Sequence, residues 1–146
     1  MSEGTIAKAH WSFWIISILL LIWNVLGSMN FFWQMLAAPD TLATLPETHR
    51  AIIEGRPVWA TAGFAIGVVI GAFGCLMLLL KKSMAYCFFI VSLLGIIVTM
   101  IHTLDIAISR IAFTVAEIIV MIVMPLLVAV FLIWYSKLAM NKGWAR

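Results

Sequence analysis

The stretch VWATAGFAIGVVIGAFGCLMLLL, residues 58–80, holds no charged side chain and a single hydroxyl, that of Thr61. Coiled as a helix at 1.5 Å per residue it rises about 34 Å, enough to cross a hydrocarbon layer about 30 Å thick. Lipid offers no partner to a bare N–H or C=O, so a span must satisfy its own backbone, and a helix does so. Three more runs share the property: Trp11–Leu36, Met84 to about Thr103, and about Ile111 to Tyr135. The alternating segments of about ten residues that build a transmembrane barrel do not occur.

The composition agrees. Of 146 residues, 65% are hydrophobic and 10% charged, more apolar surface than a soluble chain of this length encloses. The connections are short. The sequence therefore predicts an all-α membrane protein, a single domain over residues 1–146 with four transmembrane helices in an up-down-up-down bundle.

Within the opening stretch, Gly63, Gly67 and Gly71 recur every four residues, with Gly74 beside them. Small residues at this spacing let another backbone approach closely. The neighbour is either a helix of the same chain or a second copy, and Ser28 of the first run is a packing position of the same kind. Pro125, in the middle of the fourth run, removes a helix hydrogen bond and predicts a kink near Met121. Between the first two runs, Thr44-Leu45-Pro46-Glu47 matches a capping box. It predicts a short helix from about Leu45 to Glu54, stopped by Gly55, on the outer membrane surface.

Charge sets the expected orientation. With four spans, Lys8, Lys81, Lys82, Lys137, Lys142 and Arg146 share one side, while Arg50, Arg56, Arg110, Asp40, Glu47, Glu54, Asp105 and Glu117 share the other. By the positive-inside rule both termini are expected to be cytoplasmic. The first run is too long for the apolar core of a signal peptide and is expected to stay. The net charge of +3 follows from this topology and calls for no nucleic acid. Cys75 and Cys87 show no metal or redox spacing and read as core residues.

At 100° per residue, Asn24, Gly27, Ser28, Phe31 and Gln34 share a face of the first helix, with Asn30 close by. Phe88, Ser92, Gly95, Thr99, His102 and Ile106 share a face of the third, with Asp105 about 60° away. Thr114, Glu117, Met121, Met124 and Val128 share one of the fourth. Pointed inward, Asn24, Asn30, Gln34, Arg56, Trp59, His102, Asp105 and Glu117 would form a polar vestibule on the outer side, above an apolar inner half. Ionisable groups in a span are costly. Glu117 is expected either to pair with Arg110 or Arg56 or to bind a ligand or proton. His102 and the amides are either interhelical bonds or ligand contacts. No nucleophile motif, paired carboxylates, metal spacing or phosphate-cradling loop occurs, so no enzyme, metal or cofactor is expected.

The pattern Leu21-Ile22-Trp23-Asn24 with Gly27, then Leu45-Pro46, Arg50-Ala51, Pro57-Val58-Trp59-Ala60, the glycine helix and Gly143-Trp144, is similar to that of a family of small bacterial four-helix integral membrane proteins. That family is largely uncharacterised, and some members are described as sugar transporters. The resemblance implies the same fold, set in the inner membrane of a bacterium. The first helix lacks the acid that marks small multidrug exporters. Two functions follow as expectations: binding or transport of a small polar solute through the vestibule, or a non-catalytic accessory or scaffold subunit. The expected partners are the bilayer, together with a second copy on the glycine stripe or other membrane subunits.

Overall fold

The computed structural model describes residues 8–146, and the first seven residues of the expected domain lie outside that range. In chain order the helices are α1 (Trp11–Leu36), α2 (Pro39–Ala43), α3 (Glu47–Glu54), α4 (Val58–Leu79), α5 (Met84–Ser109) and α6 (Val115–Asn141). No strand occurs among the described residues. Helices α1, α4, α5 and α6 are each long and apolar enough to cross a membrane.

The first two spans begin and end where hydropathy places them, give or take a residue. The third runs past Thr103 to Ser109, and the fourth starts at Val115 instead of Ile111. A capping box fixes that start. The Glu117 N–H donates to the Thr114 hydroxyl, and the Thr114 N–H donates to the Glu117 carboxylate at 2.8 Å. The box expected at Thr44–Glu47 does not form. A residue before proline is steered away from helical geometry, so Leu45 cannot open the helix. Pro46 becomes the cap and α3 begins at Glu47. The Thr44 hydroxyl donates to the Thr41 carbonyl at 2.7 Å instead, closing α2.

Helix packing follows chain order: α1 lies along α4, α4 along α5, and α5 along α6. The α4–α5 contact is the closest. A Cβ on Gly95 would stand 2.6 Å from both the Gly63 carbonyl oxygen and the Gly67 nitrogen, and one on Gly63 would stand 2.9 Å from the Gly95 carbonyl. Gly74 admits Phe89 of α5, and Gly71 faces Asn24 of α1 and Ser92 of α5. The stripe expected to hold a neighbouring helix or a second copy is thus filled within the chain. Another subunit could use it only by displacing α5.

Hydroxyls reinforce this seam. Ser92 donates to the Gly67 carbonyl at 2.5 Å, and Thr99 to the carbonyls of Gly95 at 3.0 Å and Ala60 at 3.3 Å. The Ser92 bond falls within a π-helical turn, Ile66–Ile70, where the α-helical ladder is interrupted. A second π turn, Ile119–Val123, precedes Pro125 in α6. It sits where the missing proline N–H leaves the Met121 carbonyl without its helical donor, which is where the sequence predicts a kink.

At one end Phe13, Cys75, Leu78, Ala85, Phe89, Leu132, Tyr135 and Ala139 form a buried cluster. Stacked Phe13 and Tyr135, 6.4 Å apart, bring α1 to α6 there. The α4–α5 turn at this end puts Lys81 in the left-handed region, φ 58°, with its ammonium 5.3 Å from the centre of the Trp14 ring. Cys87 is exposed, against the expectation that both cysteines are core residues.

Two stability predictions follow. Gly95→Ala must push two backbones apart and is expected to cost about 1–3 kcal/mol, whereas the Cβ of Gly67→Ala meets chiefly the flexible end of Ile96 and should cost less. Thermal melts in one mild detergent would rank them. Lys81→Gly and Lys81→Ala both lose the Trp14 contact, but only glycine is unstrained at positive φ. The Gly variant should be more stable than the Ala variant by about 1 kcal/mol.

Candidate functional site

Opposite the Phe13–Tyr135 cluster, α3 lies across the bundle and is tied down at two points. The Thr48 hydroxyl donates to the Glu117 carboxylate at 2.6 Å, joining α3 to α6. His102 of α5, only 4% exposed, donates from Nε2 to the Ile52 carbonyl at 3.1 Å. That bond fixes the proton on Nε2. A third tie joins the start of α4 to α1, where Arg56 Nη2 donates to Gln34 Oε1 at 2.7 Å.

Between these ties and the far cluster, the four long helices enclose a cavity of about 420 Å³, within the usual range for small-molecule sites. From α1 come Trp23, Asn24, Leu26, Gly27, Asn30 and Gln34, and from α3 come His49, Ile52 and Ile53. Both π turns reach the wall, through Gly67 and Val68 on α4 and Val120 and Met121 on α6. Asn24 and Gln34 are ten residues apart along α1, so the cavity is about 15 Å deep.

Most polar groups on this wall are already committed. Asn24 donates to the Leu20 carbonyl at 2.9 Å and to Cys75 Sγ at 3.6 Å. Ser92, Thr99 and Thr103 all bond to helix carbonyls. Arg56 differs. Its guanidinium lies 5.0 Å from the centre of the Phe64 ring, and its Nε and Nη1 are buried without a protein partner. Burial pulls its pKa below the ordinary arginine value, yet a guanidinium stays charged in a protein. No Asp or Glu among the described residues lines the cavity. The wall is therefore largely apolar, with one guanidinium of which Nη2 is spent on Gln34 while Nε and Nη1 are not.

Of the residues expected at the vestibule, Asn24, Asn30, Gln34 and Arg56 meet in this cavity. Trp59, His102, Asp105 and Glu117 do not line it. Glu117 is held by Thr48 and Thr114, and neither Arg56 nor Arg110 supplies the expected ion pair; Arg110 lies beside Gly55 instead. His102 holds α3, and Trp59 meets its ring edge-on at 6.2 Å. Asp105 is exposed, and Ser28 bonds back to the Asn24 carbonyl. Sequence reasoning did not find His49 or Phe64. The short span from Gly55 to Val58 is the signal that α3 must fold back over the bundle and bring His49 with it.

Comparison of the chain with protein-family models, curated proteins and solved structures gives no match.

Glu117 is thus expected to be a tie and not a ligand contact. Glu117→Gln and Thr48→Val should both speed amide exchange in α3 and leave α4 and α5 protected. Unchanged exchange in α3 would refute this.

Proposed function

We propose that this protein binds a small solute carrying an anionic group in the cavity between its four long helices, without catalysis, as a step in the solute's passage or retention at a membrane. The carrying observation is Arg56, charged and half-buried, whose Nε and Nη1 are themselves buried and have no protein acceptor. A buried donor left unpaired costs about 1–3 kcal/mol, more for a charged group. A carboxylate or phosphate oxygen would remove that cost, and the guanidinium fork suits both.

In this reading the helices run up-down-up-down across the inner membrane of a bacterium with both termini cytoplasmic. The Lys81–Lys82 turn faces the cytoplasm, and Arg56 and α3 face the outer side. Exposed Asn30 and His49 then flank the solute's way in past α3. The sequence resemblance to a family with some members described as sugar transporters supports passage of a solute, not its charge. The accessory or scaffold reading draws on Ser92, Thr99, Thr103, His102 and Glu117, all of which bond within the chain.

Native mass spectrometry of the protein extracted from its own membrane tests the proposal. Wild type should retain a reproducible small anionic mass, and Arg56→Gln should lose it while keeping its helical signal. One lost charge-assisted hydrogen bond, about 1.5–3 kcal/mol, weakens binding roughly tenfold or more. Equal retention in both forms would overturn the assignment to Arg56. Stoichiometric membrane polypeptides with no added mass would favour the scaffold reading.

A further inference from the structure

The buried unmet polar demand of the cavity lies at one end, on Arg56, and apolar side chains make up most of the rest of its length. From Arg56 the wall continues through Val68, Ile96, Met121, Val128 and Leu132. The deep hydroxyls and the Asn24 amide donate to the chain itself, so little remains there to hold a second polar group. A compact hydrophilic anion would satisfy Arg56 and leave most of the volume facing apolar side chains. An anion with a hydrocarbon tail fits both parts.

The bundle also has a side through which such a molecule can pass. Helices α1 and α6 stand at the two ends of the packing order, and each packs along one neighbour only. They come together at Phe13 and Tyr135, below the cavity. Above that point Trp23 and Leu26 of α1 are 42% and 58% exposed, and Val120 of α6 is 65% exposed, although all three line the cavity. Residues that face both the cavity and the bundle's surface mark an opening between α1 and α6 at the depth of the hydrocarbon layer. A cavity meant only for water-borne solutes has no use for an apolar side opening.

We infer that the ligand is a single-chain amphiphile with an anionic head, a carboxylate or phosphate, seated with its head on Arg56 and its chain in the apolar depth beside Val128 and Leu132. This rests on the proposal that Arg56 binds an anion, and it adds the chain.

Binding of a matched series to the full-length protein in phosphatidylcholine nanodiscs, corrected against empty nanodiscs, separates the two ideas. Each buried methylene is worth about fourfold in affinity, so decanoate should bind one per chain and at least tenfold more tightly than butyrate. Decyltrimethylammonium should show no saturable site. Val128→Trp, which fills the middle of the cavity, should lose decanoate selectively. If butyrate binds as tightly as decanoate, the tail has no place in the cavity; this inference falls and the Arg56 anion site stands. If decyltrimethylammonium competes equally with decanoate, or neither anion saturates, the anion site falls as well. The source is read from the protein as extracted. A retained lipid anion displaced by decanoate means the bilayer supplies the ligand. An empty protein that takes decanoate from solution means a water-borne amphiphile does.

Discussion

The contact on which the structure depends is the approach of α4 to α5 through Gly63, Gly67 and Gly95. Without side chains at these points, the Gly63 and Gly95 carbonyl oxygens come within 2.6 and 2.9 Å of where the opposing glycine's Cβ would stand, and van der Waals contact is gained along the seam. In lipid, where the tails are as apolar as any leucine, such packing and interhelical hydrogen bonds are the main attractions between helices. Ser92 and Thr99 add bonds of that kind at the same seam. Each is worth about 1 kcal/mol, less than the packing but directional, so they fix the rotation of α5 as well as its distance. That rotation puts His102 under Ile52, and so determines where α3 is held.

The outer helices take what this pair leaves. Helix α1 reaches α4 through Asn24 at Gly71 and through Gly27 at Val68; α6 packs along α5, and meets α1 at Phe13–Tyr135 and α3 at Thr48. Because α4 and α5 are so close, the two outer helices cannot both lie in the groove between them, and the space between α1 and α6 stays open except where Phe13 and Tyr135 meet. The π turns deepen this effect. Each adds a wider turn, one around Gly67 in the middle of α4 and one before Pro125 in the first third of α6, and residues of both line the cavity. The cavity is thus a consequence of a tight seam on one side and two irregular helices on the others.

How much of this was legible in the sequence follows from which periods the sequence carries. Span length and the 100° rotation are one-dimensional quantities, so α1 and α4 fell where expected. The inward face of α1 did too, with Asn24 and Phe31 buried and Leu26 and Met29 exposed. Pro125 announced an irregularity because a missing N–H is written in the residue itself. The π turn at Gly67 was hidden, since its stabilising donor, Ser92, lies on another helix. Threonine and glutamate three apart occur both at Thr44–Glu47 and at Thr114–Glu117, and only the proline inside the first distinguishes them. The site was half legible. Depth placed Trp59, His102, Asp105 and Glu117 level with Arg56, but depth says nothing about partners. The partners, a carbonyl of Ile52 and a hydroxyl of Thr48, belong to a short helix whose fold-back no period reveals.

What a cavity selects is set by the demands its wall leaves unmet. Here the wall polar groups other than Arg56 mostly bond to the chain, so a neutral polyol would find few free donors or acceptors and would surrender its own hydration for little return. A cation would meet Arg56 and be repelled. A purely apolar molecule would fill the depth but leave the guanidinium as it was, and so gain nothing over the surrounding lipid, which already offers hydrocarbon. Only the head group distinguishes the cavity from the bilayer beside it, and only the tail distinguishes the cavity from water above it. A ligand carrying both is the one for which this site is better than either neighbour, and that difference, not the size of either contact alone, is what makes it a site.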